Sequence, residues 1–328
     1  MFDLELTQTA DWIISNGYRK VAVQLPEGLK LRALEISEAL HDATDSEIII
    51  IGRPCYGACD YYTDYRKVAD ALVHYGHAAM PSLGEDPHVL FVEARADVSI
   101  TGPLSEYVGM LPEKVGILAS IQYIGFIPEA IRIIEESGRK AFVSEGGART
   151  KYPGHVLGCD CSTAERIIDS VDAFLFLGEG DFHPLAAAFS TDRELFVLNP
   201  VTGELRNIDN TRDRILRRRF AAITIASEAE RFMVLVCSKV GQNRSIDAER
   251  IIQMIRDAGK KAYMMILDEV SPESLAHYRV DAFVNTACPR IAMDESARFD
   301  KPMLTIPEME IVLGHRDWSE YEFDAIRE

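Results

Sequence analysis

No stretch of this 328-residue chain approaches the roughly 18 consecutive apolar residues that a membrane-spanning helix needs, although 47% of its residues are hydrophobic. A membrane-embedded protein is therefore not expected. Basic residues are scarce: 35 Lys and Arg against 52 Asp and Glu leave a net charge of -17. That balance opposes the phosphate neutralisation on which nucleic-acid affinity rests, so no direct DNA or RNA ligand is expected. The start, Met-Phe-Asp-Leu-Glu-Leu-Thr, is acidic where an export signal carries a basic region and a continuous apolar run. The expectation is a soluble, cytoplasmic protein. The six cysteines include no Cys-x-x-Cys pair, which leaves out paired zinc knuckles and the usual dithiol redox spacing. Six in so long a chain also do not make a disulfide scaffold. In a reducing compartment they serve as metal ligands, catalytic groups or small buried apolar residues.

What is present is a pattern written three times. Apolar strand-like runs alternate with amphipathic, helix-like stretches: Lys20 to Leu25, Ile48 to Ile51 and Ala69 to His74; Val115 to Ser120, Ala141 to Ser144 and Ala173 to Leu177; Phe232 to Cys237 and Ala262 to Leu267. Helical stretches are expected at Leu29 to Leu40, before Ala69, at Pro128 to Ser137, at Thr163 to Ser170 and at Asp247 to Ala258. Continuous apolar strands between helices predict parallel sheets covered on both faces, an α/β fold. Two segments share one helix-turn-strand unit: Ile133 to Ala141 and Met254 to Ala262, in which Gly138 and Gly259 suit the left-handed end of a helix. A second echo, Val68-Ala69-Asp70-Ala71, Val171-Asp172-Ala173-Phe174 and Val280-Asp281-Ala282-Phe283, opens a strand in every segment. The reading is three similar α/β domains, residues 1–100, 101–210 and 211–328. The proline-rich stretches Pro81 to Pro87 and Pro103 to Pro112 serve as connections, and a helix from Asn207 to Arg219 leads into the third domain.

Each domain carries a cysteine where a strand gives way to a loop: Cys59 in Cys-Tyr-Gly-Ala-Cys-Asp, Cys159 in Leu-Gly-Cys-Asp, and Cys288 in Thr-Ala-Cys-Pro-Arg. Brought to a common centre, three thiolates suit a cubane iron-sulfur cluster with one open iron. Cys237 ends an apolar run and reads as a buried strand residue. Cys55 and Cys161 neighbour two of the proposed ligands, and exchange between neighbours stays open. A one-loop Cys-x3-Cys-x2-Cys motif begins at Cys55 and Cys59 but fails at Tyr62, so any cluster must gather distant ligands. A structural zinc site is the alternative, though it asks for four closed ligands.

On these cysteine phrases, together with Gln24-Leu-Pro-Glu-Gly28, Val73-His74-Tyr75-Gly76-His77 and Phe176-Leu-Gly-Glu-Gly-Asp-Phe-His-Pro184, the chain resembles the archaeal 2-(3-amino-3-carboxypropyl)histidine synthases of diphthamide biosynthesis. The resemblance runs over nearly the full length. It implies three domains in a pseudo-threefold arrangement around a central [4Fe-4S] cluster held by Cys59, Cys159 and Cys288. It further implies S-adenosylmethionine as cosubstrate, chelated at the open iron and cleaved by a noncanonical radical route that releases 5'-methylthioadenosine. The 3-amino-3-carboxypropyl group then joins C2 of a histidine imidazole on translation elongation factor 2. An external electron donor and a homodimer come with the resemblance.

For holding the cosubstrate, Gln24, His77, His183, Gln242 and Arg290 lie in or beside strand-end phrases, and Gly178 and Gly180 let backbone approach a ligand. For each of them a satisfied local hydrogen bond, or a plain turn, is at least as common. Arg290 has the strongest individual case, because a guanidinium grips a carboxylate with two parallel bonds and lies two residues from Cys288. Two other readings compete. A quinolinate-synthase-like dehydratase also joins three similar domains around a three-cysteine cluster, and a scaffold or ligand-binding protein would merely bury its cysteines.

Overall fold

A computed structural model describes residues 2–327. Thirteen strands form three sheets among these residues. The first contains β1 (Lys20–Gln24), β2 (Glu47–Ile51), β3 (Ala71–Tyr75) and β4 (Val89–Val92), in the order β2-β1-β3-β4. The second contains β5 (Lys114–Ala119), β6 (Lys140–Phe142), β7 (Ala173–Leu177), β8 (Glu194–Leu198) and β9 (Leu205–Asn207), in the order β6-β5-β7-β8-β9. The third contains β10 (Arg231–Cys237), β11 (Lys261–Leu267), β12 (Ala282–Asn285) and β13 (Met303–Leu304), in the order β11-β10-β12-β13. Every pairing is parallel except β8 with β9. The three sheets thus repeat one topology, the three-domain α/β architecture expected from the sequence.

The Val-Asp-Ala echo has a physical cause. Asp70 accepts hydrogen bonds from the backbone N–H of Arg19 (3.0 Å) and Lys20 (2.9 Å). Asp172 accepts from Lys114 (3.0 Å), and Asp281 from Glu230 (3.1 Å) and Arg231 (2.8 Å). The same carboxylate therefore fastens the first strand of each sheet to the third. Backbone donors at a strand start need a partner, and an acidic side chain supplies a charge-assisted one.

Helices cover the sheets because their apolar residues recur at helical spacing. Ile127–Glu136 buries Ile127, Ala130, Ile133 and Ile134, and each fully buried isoleucine contributes about 1.5–3 kcal/mol. Gly138 and Gly259 take φ of +85° and +77°, ending their helices as the sequence implies. The cores also cross between segments: Ala78 joins the core around Ile117 and Leu177, while Met293 and Phe323 join the one around Phe174 and Phe176.

Several local expectations are corrected. Leu29 to Leu40 is a 3-10 turn (Glu27–Arg32) followed by a helix (Ala33–Thr44). The stretch before Ala69 holds only the 3-10 turns Ala58–Asp60 and Thr63–Lys67, and Thr163 to Ser170 only a short helix, Ser162–Glu165, and a turn, Ile168–Ser170. In both places the cysteine loop takes up the chain that a longer helix would need. Pro103 to Pro112 is not a plain connection, since the helix Thr101–Tyr107 runs into it, and the helix expected from Asn207 runs Asp209–Ser227. No described helix is long and apolar enough to cross a membrane.

Candidate metal centre

Cys59 lies in the loop between β2 and β3, Cys159 in the corresponding loop between β6 and β7, and Cys288 just past β12. Cys159 is buried, and Cys59 and Cys288 are partly so. Burial pushes the Cys159 thiol up to about 12 and raises those of Cys59 and Cys288. The three are also electrostatically coupled: after burial, Cys159 and Cys59 are the next causes acting on Cys288, and Cys59 also raises Cys159. The structure therefore brings together the three thiols that the sequence singled out, from three domains.

One group of three Cys, His or carboxylate ligand atoms lies within 4.8 Å of one another among the described residues, and it is not this one. Two sulfurs on a single zinc sit no more than about 4.6 Å apart, twice the Zn–S bond. The three thiols do not form so compact a group, and buried thiolates need compensating charge and donors.

Those donors are present. Gln242 Nε2 donates to Cys59 Sγ at 3.3 Å. Arg149, almost fully buried, favours the thiolates of Cys59 and Cys159 and donates from Nη2 to the Gly241 carbonyl at 2.8 Å. Gly241 in turn donates its N–H to the Cys59 carbonyl at 3.0 Å. One chain of bonds thus joins loops from all three domains. Asp60, next to Cys59, is buried with Lys239 of the third domain (2.9 Å) and also pairs with Arg53 (2.9 Å). On the other side Ile326 donates its N–H to the Cys159 carbonyl at 2.9 Å, and Asn285 Nδ2 donates to that of Cys288 at 2.8 Å.

The other candidates divide. Arg290 is 3% exposed; its Nε donates to Asp294 at 2.7 Å and its guanidinium lies 4.5 Å from the Phe182 ring. Arg290 Nη1 has no hydrogen-bond partner among the described residues, so a cationic donor next to Cys288 is left available for an anion. His183 is held near about 3 by burial, with His155, Arg290 and His77 adding to the effect. Burial likewise lowers His77 to about 4, helped by His155. Both imidazoles are neutral, and His183 lies within electrostatic reach of Arg290. Gln24 commits its amide to the Cys59 loop, donating to the Asp60 carbonyl (2.9 Å) and accepting from Tyr62 N–H (2.8 Å). Gly178 is required by packing, because a Cβ there would lie 2.6 Å from the Phe176 ring. The Gly180 carbonyl accepts from Arg206 at 3.1 Å.

Sequence reasoning missed Arg149, Gly241, Lys239 and His155. Only Gly241 had a cue, its place just before Gln242, and the others act through contacts 90 or more residues away in the chain or through burial alone. A separate cavity of about 540 Å3, bordered by Gly241, Arg244, Asp324 and Ile326, lies beside this centre; none of the three thiols lines it.

Fold and site together define a three-domain α/β protein in which three cysteine thiols, one from each domain, come together. Residues 25–323 match the family described as "Putative diphthamide synthesis protein", and the chain belongs to that family. It is 36% identical over 315 residues, 94% of this chain and 90% of the relative, to 2-(3-amino-3-carboxypropyl)histidine synthase from Pyrococcus horikoshii. It is 28% identical to subunit 1 of the human synthase, across 97% of this chain and 74% of that one. The crystal structure of Dph2 from Pyrococcus horikoshii with a 4Fe-4S cluster is similar at a TM-score of 0.90 and 33% identity, covering 100% of this chain and 95% of that one.

Proposed function

We propose that this chain is a 2-(3-amino-3-carboxypropyl)histidine synthase catalysing the first step of diphthamide biosynthesis. It transfers the 3-amino-3-carboxypropyl group of S-adenosylmethionine to C2 of a histidine imidazole on translation elongation factor 2, releasing 5'-methylthioadenosine. The observation that carries this reading is the convergence of Cys59, Cys159 and Cys288 from three domains into one electrostatically coupled centre.

These cysteines would hold a [4Fe-4S] cluster. When bound, it supplies the electron that opens a sulfonium carbon-sulfur bond and an iron free to take the amino-acid end of the cosubstrate. The chain's own residues do the rest. Arg290 grips the cosubstrate carboxylate through its available Nη1. Gln242 and Arg149 stabilise negative charge on sulfur. His183, kept neutral by burial, presents a ring nitrogen to the incoming imidazole without adding a positive charge. The surrounding apolar cores keep water from a carbon radical. Elongation factor 2 as protein substrate, an external electron donor, a homodimeric assembly and a cytoplasmic setting belong to the same proposal.

The test is anaerobic incubation of dithionite-reduced protein with S-adenosylmethionine and elongation factor 2. Formation of 5'-methylthioadenosine with modification of one factor histidine is expected. Electron paramagnetic resonance should show a reduced cluster lost in Cys59→Ala, Cys159→Ala and Cys288→Ala. Iron-free anaerobic protein, or no methylthioadenosine, would overturn the reading.

A further inference from the structure

A second ligand set lies behind the Cys59 loop, and it is the one compact trio noted above: Cys55 Sγ, His74 Nε2 and His77 Nδ1, all within 4.8 Å of one another. Cys55 and His74 are buried. His74 ends the apolar strand β3, His77 follows in the turn, and Cys55 enters from the cysteine loop four residues before Cys59.

The hydrogen bonds around His74 fix which nitrogen faces the trio. Tyr62 N–H donates to Gln24 Oε1 at 2.8 Å and Gln24 Nε2 donates to the Asp60 carbonyl at 2.9 Å, so the amide cannot turn over. Its oxygen lies 3.1 Å from His74 Nδ1. An amide oxygen only accepts, so Nδ1 carries the proton and Nε2 presents its lone pair to Cys55 and His77. An imidazole oriented by a hydrogen bond on its far nitrogen is the arrangement that metal-ligating histidines share.

We propose that Cys55, His74 and His77 form a mononuclear site for a zinc-like divalent ion, separate from the three-thiol centre, with water as fourth ligand. One thiolate and two imidazoles are a borderline-soft donor set suited to tetrahedral zinc. Ligand distances agree closely. Tetrahedral zinc asks for about 3.3 Å between two nitrogens and about 3.5 Å between nitrogen and sulfur. His74 Nε2 and His77 Nδ1 are 2.9 Å apart, and Cys55 Sγ lies 3.9 Å from His74 Nε2. Adjustments of about 0.4 Å in each direction bring these two pairs to tetrahedral spacing, and the third pair, Cys55 with His77, lies within the 4.8 Å common to the trio. On binding, Cys55 Sγ releases a proton to solvent, neutral His77 shifts its one proton from Nδ1 to Nε2 and releases none, and no electron is exchanged. The ion ties the loop that carries Cys59 to the end of β3.

The test uses cluster-loaded protein under anaerobic conditions, titrated with Co2+ alone. One equivalent should bind, with a sulfur-to-cobalt charge-transfer band and the intense visible bands of tetrahedral cobalt. Cys55→Ala and His74→Gln should abolish the charge-transfer band while iron per chain and the cluster's resonance signal stay at wild-type values. Gln24→Ala, which releases His74 Nδ1, should weaken Co2+ binding by about 10- to 100-fold. Absence of Co2+ uptake by the wild type would overturn the site, as would a charge-transfer band that survives in Cys55→Ala. If His74→Gln fails to fold, His77→Gln tests the second nitrogen. The iron count reports on the three-thiol centre independently, so failure of either proposal is read separately.

Discussion

Gly241 lies so close to Cys59 that a Cβ on it would be 2.5 Å from the Cys59 Cβ and 2.6 Å from its Cα. Both obstructing atoms belong to or adjoin the backbone, so the clash cannot be relieved by a rotamer change. Gly241→Ala should displace the Cys59 loop, destabilise the protein by about 1–3 kcal/mol and lower iron per chain after anaerobic reconstitution. Denaturant unfolding and iron analysis would check both, and full iron loading at unchanged stability would count against the packing argument.

Asp60 and Lys239 form an ion pair whose side chains are 0% and 4% exposed. Removing one charge leaves the other, in a place that water does not reach, with only its second partner, Arg53 for Asp60 or Glu269 for Lys239. Asp60→Asn should cost about 3 kcal/mol, moderated by the remaining contact of Lys239 with Glu269 at 3.0 Å. The double variant Asp60→Asn, Lys239→Met should lose less than the sum of the single losses. An additive double-mutant cycle in chemical denaturation would show that the pair is not coupled.

Arg290→Ala removes a cation whose Nη1 is unengaged within the protein and leaves the Cys288 loop backbone intact. Affinity for S-adenosylmethionine should fall by at least about tenfold, the loss of one charge-assisted bond of about 1.5–3 kcal/mol, with cluster content unchanged. Equilibrium binding at matched iron loading measures it. An unaltered dissociation constant would remove Arg290 from the binding site.

His155 is buried, its Nδ1 lacks a partner among the described residues, and burial lowers its titration from 6.5 to about 4. Glu93 and Asp160 raise it, Lys151 lowers it, and His77 and His183 lie within electrostatic reach. Between these two values the unfolded chain binds a proton that the folded one does not, so stability is complete above pH 6.5 and is lost as pH falls towards about 4. The loss attributable to His155 is at most roughly 3 kcal/mol. His155→Gln should narrow the difference in unfolding free energy between pH 7 and pH 4.5, and an unchanged difference would assign the acid sensitivity elsewhere.

Much of this architecture is legible in the chain because its signals are local and repeated. The strands β1, β5, β7 and β10 are continuous apolar runs, and Asp70, Asp172 and Asp281 mark equivalent places because each performs the same bonding task at a strand start. The strands β4, β8, β9 and β13 went unread: short strands carry little periodicity, and Met303–Leu304 is two residues long. Cys59, Cys159 and Cys288 stood out through their phrases. Arg149 did not, since its role depends on Gly241, 92 positions away in sequence. Cys55 and His74 were overshadowed by Cys59 and His77, because nothing local announces that a loop will fold back over a strand end.

The bond from Ile326 to the Cys159 loop bears on how the molecule comes into being. Translation proceeds from the amino terminus, so the middle sulfur emerges from the ribosome well before the backbone that will strap its loop, and Cys288 also arrives late. A nascent chain can fold its first sheet and much of its second, yet it has no finished receptacle until residue 326 is free. Any inorganic core received there must be installed after residue 326 has emerged, into a chain already folded on two sides.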